Sequence, residues 1–213
     1  MREISIPELK ELMQEGIAGV DYAWEHQEEL ISRKHTYTLY GPHSELVGAN
    51  IPSSLTRPKE RQLKKTNRRK NYMIYELDDS YRILRTTQMV NYTEHIETFH
   101  HFEWNGVWYA RDFGKFGRQD YDTRIFVTKF QDGKPCYYAD IESFYIAAEF
   151  YEYLEPGKIG ITGYGYAPGA KYTIHGYPVD RNAPIGAKNS PVSWHFREEP
   201  EQYIDFSRWF TEE

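Results

Sequence analysis

The chain has 213 residues and a formal net charge of -6, with 39 % hydrophobic and 27 % charged residues. That length suits one large domain, and 19 Tyr, 11 Phe and 5 Trp can fill its core, because each ring buries a large area; this excludes a disordered chain despite a mean hydropathy of -0.78. No apolar run reaches the length of a membrane helix, the opening MREISIPELKELMQEG lacks the basic-then-apolar pattern of a secretory signal, and a single Cys136 excludes an internal disulfide, so the expectation is a cytoplasmic protein.

Ser5-Ile6-Pro7-Glu8 reads as a capping box, with Pro7 in the first turn. Leu9, Leu12, Met13, Ile17 and Val20 then recur at helical spacing, and Tyr22, Trp24, Leu30 and Ile31 continue the pattern. One bent helix or two are expected over about 6–33, with Gly16 and Gly19 weakening the middle. Thr36 to Tyr40 reads as a short strand closed by Gly41-Pro42. Residues 57–70, RPKERQLKKTNRRK, hold eight basic side chains against Glu60 alone, which leaves the rest of the chain with 31 acidic and 18 basic residues. A solvated basic segment on an acidic body is the expectation.

From Tyr72 the period changes to two. Tyr72 to Leu77 and Tyr81 to Val90 read as strands about an Asp78-Asp79-Ser80 turn. Asn105-Gly106 supplies the two positive-φ residues of a type I′ turn. It sets Trp104 opposite Val107, Phe102 opposite Tyr109 and His100 opposite Arg111 on one side, and Glu103 opposite Trp108, His101 opposite Ala110 and Phe99 opposite Asp112 on the other. The first side reads as core, with Phe102, Trp104 and Tyr109. The second, with His95, Glu97, His101, Glu103 and Asp112, reads as a polar face open to a partner. Thr123 to Phe130 is a strong strand turned by Gln131-Asp132-Gly133-Lys134. Asp140 to Leu154 fits strand or helix, and its aromatic content favours strand, with Glu149, Tyr151 and Tyr153 sharing one side. Ile159 to Tyr166 and Lys171 to Tyr177 are further strand-like runs. Residues 178–198, with Pro178, Pro184 and Pro191, look irregular, and Glu199-Pro200 starts a terminal helix. The expected fold is α+β in a single domain, 1–213: a helical N-terminal part at 1–35, a β-rich core at 71–177 built of antiparallel hairpins with seven to nine strands, and an irregular segment with a short C-terminal helix at 178–213.

No complete catalytic set emerges. His95, Glu97, His101 and Glu103 alternate on one strand, but the ends of that row lie too far apart for one metal ion, so no metal and no cofactor are expected. Cys136 lacks a base placed beside it by sequence and reads as a small buried residue. The glycine-rich run from Ile159 to Lys171 fits neither the phosphate-loop nor the dinucleotide fingerprint and reads as a strand. Asp140 with Glu142 could serve acid–base chemistry only if the fold carried them into a cleft.

The hairpins YELDDSYRILRT (Tyr75 to Thr86), HFEWNGVWYAR (His101 to Arg111) and AEFYEYLEPGKIGIT (Ala148 to Thr162) are similar in style to bacterial polymorphic-toxin immunity proteins of the β-rich kind. The resemblance covers about residues 72–166 and implies a small, acidic, non-enzymatic protein that neutralises a toxin; it transfers no functional residues. A cationic protein is therefore the expected partner, with Glu97, Glu103, Glu149, Tyr151 and Tyr153 as candidate contacts. The competing expectations are a hydrolase using His101, His175 or Cys136 in a cleft, and a nucleic-acid-associated protein using 57–70, which the acidic body disfavours.

Overall fold

The computed structural model describes residues 2–42, 72–90, 94–113, 124–142, 145–154, 157–166, 173–174, 177–178, 180, 182–187 and 189–198. The basic stretch 57–70, His175 and the expected terminal helix lie outside the described residues.

The first helix, α1 (Ile6–Glu25), starts at the capping box: the Ser5 hydroxyl accepts from the Glu8 amide, and the Glu8 carboxylate accepts from the Ser5 amide at 2.7 Å. A short α2 (Gln27–Ser32) follows. The chain breaks between them at His26, whose ring stacks on Tyr22, and not at the glycines. Gly16 and Gly19 are instead where the helix touches the sheet. A Cβ on Gly16 would sit 2.4 Å from Ile141 Cδ1, and one on Gly19 would sit 2.5 Å from the Tyr109 ring.

Ten strands form one antiparallel sheet. In chain order they begin with β1 (Tyr37–Pro42), β2 (Tyr72–Leu77), β3 (Ile83–Val90), β4 (Glu94–Trp104) and β5 (Val107–Asp112). Next come β6 (Ile125–Gln131), β7 (Lys134–Glu142), β8 (Tyr145–Leu154) and β9 (Lys158–Tyr166). Each pairs with the next in sequence. The chain then makes a small separate pair, β10 (Thr173–Ile174) with β11 (Tyr177–Pro178), and returns as β12 (Val192–Glu198) to pair with β9 at the edge of the large sheet. Residues 140–142 and 145–154 are strand, as the aromatic content of the 140–154 run predicts. The protein is thus mostly β, with more strands than expected, and the irregular segment contains a true strand. Val192, Trp194 and Phe196 alternate there with Ser193, His195 and Arg197, a period of two masked by the prolines before it.

Two hairpins turn on two residues with positive φ: Asn105 at 50° and Gly106 at 72°, and Asp132 at 52° and Gly133 at 74°. The first gives the pairing expected from sequence, Trp104 with Val107 through Phe99 with Asp112. Gly106→Val is expected to lower stability by about 1–3 kcal/mol, because a β-branched side chain is strained at that φ. A chemical denaturation midpoint equal to that of the parent would refute the assignment of the turn.

Both faces of the central strands are buried. On one, the cross-strand row Phe102–Tyr109–Val127–Ala139–Ala148 belongs to a core cluster that includes Leu9, Met13, Val20 and Ala23 of α1 and Leu30 of α2. On the other, Phe99, Ala110, Phe126, Tyr138, Tyr151, Ile159 and Ile161 form a second cluster. A third, of Leu39, Met73, Tyr75 and Leu77, continues onto β1 and β2. Arg85 ties the helical layer to the sheet, donating to the carbonyls of Ile31 and Arg33 while its Nε donates to Glu76 at 2.6 Å.

Candidate functional site

The face away from α1 was expected to be polar and open. It is open at Glu103 beside the turn, but farther in it is closed: His101 is 1 % exposed and Tyr151 5 % exposed. Sequence alternation tells which residues share a face but not what covers it, and here aromatic neighbours cover it.

His101 shows how that face accepts a polar ring. Trp108 Nε1–H donates to His101 Nδ1 at 3.2 Å, and an indole nitrogen can only donate. Nδ1 therefore carries no proton, and Nε2–H donates to Thr86 Oγ1 at 2.8 Å. Burial, aided by the charges of His100 and Arg33, pushes the pKa of His101 down to about 3. Both nitrogens are engaged and the ring is neutral, so His101 has no free atom for a metal or a proton transfer. His100 is buried on the opposite face near the Leu30 carbonyl, and burial lowers its pKa to about 4. Cys136 is half-buried, its thiol donates to the Lys129 carbonyl, and burial raises its pKa. Nothing in these contacts joins Cys136 to His101. Among the described residues no three His, Cys, Asp or Glu groups gather as they would around a metal ion.

The remaining sequence candidates fall in different places. Glu103 is exposed beside the Asn105-Gly106 turn, and β4 carries Glu97 opposite Gln88. Glu149 is half-buried and accepts from the Tyr151 hydroxyl at 2.5 Å, while the Tyr153 hydroxyl donates to the Pro135 carbonyl at 2.6 Å. These last three side chains are engaged within the fold and do not form an open face.

What the fold does assemble there is a hollow. Two cross-strand rows run along this face: Trp108–Thr128–Tyr138–Glu149–Gly163–Ser193 and Ala110–Phe126–Asp140–Ala147–Gly165. Large side chains on β5, β6 and β7 give way to Ala147, Gly163 and Gly165, and the volume they leave empty becomes a cavity of about 280 Å³ lined by Tyr138, Asp140, Glu149, Tyr164 and Ser193 among others. The glycine run of β9 thus serves as a floor and not as a phosphate loop. A Cβ on Gly163 would come within 2.6 Å of Ser193 Oγ.

Asp140, on the wall of the hollow, belongs to a charged network. Arg124 grips Asp140 with two bonds of 3.1 and 3.0 Å, and Glu142 lies 3.6 Å from Arg124 Nε. Tyr145 donates to Glu142 at 3.1 Å and lies 3.4 Å from Asp140. Burial opposes the guanidinium charge, but the bond to Asp140 and its charge more than offset it, and the pKa of Arg124 is raised. Burial, with the adjacent carboxylates, raises the pKa of Tyr138, Tyr145 and Tyr151, so these phenols are neutral hydrogen-bonding groups and not bases. Of the Asp140 and Glu142 pair noted in the sequence, Asp140 reaches the cavity wall. Arg124, Tyr138, Tyr145 and Ser193 carry no sequence signal of a site; only the registers of β6 to β9 and β12 bring them together.

Comparison with family models, with curated proteins and with solved structures finds no match.

Proposed function

We propose that this chain is a non-enzymatic protein-binding module that captures a cationic partner, as an immunity protein captures its toxin, and that the outer face of α1 and α2 makes the contact. One observation carries the proposal. The exposed charged side chains of α1 and α2 are Glu8, Glu11, Asp21, Glu25, Glu28 and Glu29 against a single Lys10, and they flank exposed Ile17, Trp24 and Ile31. An acidic rim around apolar anchors is the usual make-up of a surface that steers a basic protein and then holds it. Trp24 is 49 % exposed, yet Arg111 lies over its ring at 5.1 Å, so the indole is held in place before any partner arrives. Many toxins that cut nucleic acid are cationic, and the acidic body of the chain repels their substrates while attracting them.

The test is association kinetics with the purified product of an adjacent toxin reading frame. Asp21→Lys with Glu28→Lys is expected to slow association about tenfold at low salt, since steering acts on the on-rate. Trp24→Ala is expected to speed dissociation, since anchors act on the off-rate. Equal kinetics for parent and variants would refute the assignment of the surface. Double-stranded DNA binding with a steep salt slope would favour residues 57–70 as the functional element.

A further inference from the structure

We propose that the cavity between β7, β8, β9 and β12 is a binding site for a primary ammonium group carried on a small molecule. It lies on the sheet face opposite the helical surface described above and is independent of it.

The geometry starts with Tyr138. Its ring stacks on Phe126, with centroids 6.3 Å apart, and the residue is 8 % exposed. It lines the cavity, and its hydroxyl has no hydrogen-bond partner among the described residues. The Tyr138 hydroxyl is not sealed in as the Tyr137 hydroxyl is, so it is matched by what enters the hollow. Its cross-strand neighbour on β8 is Glu149. One Glu149 oxygen accepts from Tyr151, and the other has no partner among the described residues. Next along the same row, past Gly163, stands the Ser193 hydroxyl. A carboxylate oxygen, a phenol oxygen and a serine oxygen thus border one space, and a primary ammonium has three N–H donors to satisfy.

The sign of the ligand follows from the wall. The acidic side chains lining the cavity are Asp140 and Glu149, and no lysine or arginine lines it. Arg124 neutralises Asp140 through its two bonds, but Glu142 and Glu149 leave the surroundings negative. An anion brought here would meet two carboxylates, whereas a cation meets a charge partner and the ring of Tyr138. A cavity of about 280 Å³ is at the small end for ligand sites and sets the size at roughly a dozen heavy atoms. Gly163, Gly165 and Ala147 are the residues whose lack of side chain makes the room.

The experiment uses the full chain and isothermal calorimetry at pH 7.5 with phenethylamine, its neutral counterpart phenethyl alcohol and its anionic counterpart phenylacetate. Amine binding is expected, with the alcohol and the acid at least tenfold weaker. Glu149→Gln should weaken the amine about tenfold by removing the charge. Ala147→Leu should abolish binding by filling the hollow, with a melting temperature close to that of the parent as the control for folding. If Glu149→Gln fails to fold, the Ala147→Leu variant and the ligand series decide alone. Equal affinity for the alcohol, preference for the acid, no binding of any of the three, or full binding by the Ala147→Leu variant each overturns the proposal.

Discussion

Replacing Gly19 by valine is expected to cost more than about 3 kcal/mol and to remove cooperative unfolding at 37 °C. A Cβ there would lie 2.5 Å from Tyr109 Cε1 and 2.8 Å from Cδ1. The ring cannot turn aside, because it is buried and stacked on Phe102 with centroids 5.2 Å apart. Overpacking a rigid site costs about 1–3 kcal/mol, and branching adds to it. Alanine at the same position sets two terms against each other. Helix propensity favours Ala over Gly by about 1 kcal/mol. The clash opposes that gain and wins, so Gly19→Ala should still destabilise, by about 1–2 kcal/mol. Gly16→Ala is expected to be nearly neutral, since its closest neighbour is Ile141 Cδ1, the end of a side chain that can rotate away. Thermal denaturation of the three variants checks the ordering, and a stabilised Gly19→Ala would contradict the close approach of α1 to β5.

Lowering the pH from 7 to 5 should remove about 4 kcal/mol of stability. In the folded protein burial holds His100 at about 4 and His101 at about 3, whereas an unfolded histidine titrates near 6.5. Above pH 6.5 both states are neutral and stability does not change with pH. Below it the unfolded chain takes up protons that the folded one refuses, so stability falls as pH falls, by about 1.4 kcal/mol per unit for each histidine, until the folded pKa is reached. Two histidines over 1.5 units give the figure of about 4 kcal/mol, a large share of the 5–15 kcal/mol that holds a typical domain. Free carboxylates titrate mostly below this window, so pH 7 to 5 isolates the histidines. Urea unfolding at pH 7, 6 and 5 measures the effect directly, and a flat profile would show that neither imidazole is excluded from water.

Much of the architecture was legible because local chemistry decides it. Ser5 and Glu8 mark the start of α1, and Asn105-Gly106 and Asp132-Gly133 mark tight hairpins. Once the Asn105-Gly106 turn is placed the β4–β5 pairs follow, whereas a register shift between Lys129 and Phe130 moves the β6–β7 pairs off the turn's register. The irregular 178–198 segment was misjudged because prolines outweigh a three-pair alternation when read locally, whereas the ladder with β9 decides it at long range. The face holding His101 was misjudged for a different reason. Tyr, His and Asp count as polar by type, yet Tyr138, His101 and Asp140 are buried, two of them fully matched by Trp108, Thr86, Arg124 and Tyr145. A matched polar side chain behaves as core, and matching is a property of register. The cavity was invisible for the same reason, since it exists only where Gly163, Gly165 and Ala147 come to lie side by side.

The order of the sheet also dictates a schedule of assembly. Because neighbouring strands are mostly neighbours in sequence, each hairpin can close as soon as its second strand has left the ribosome, and the chain needs few distant encounters. The first helix is the exception. It emerges before any strand, but its apolar side packs on β5 to β8, and Ile146 follows Glu25 by roughly 6–25 s at ordinary rates of synthesis. For that interval the surface on which Leu9, Met13, Val20 and Ala23 pack is incomplete. The nascent chain is most exposed to chaperones and to aggregation while β5 to β8 are being made, and docking of α1 onto them is the event that ends that exposure.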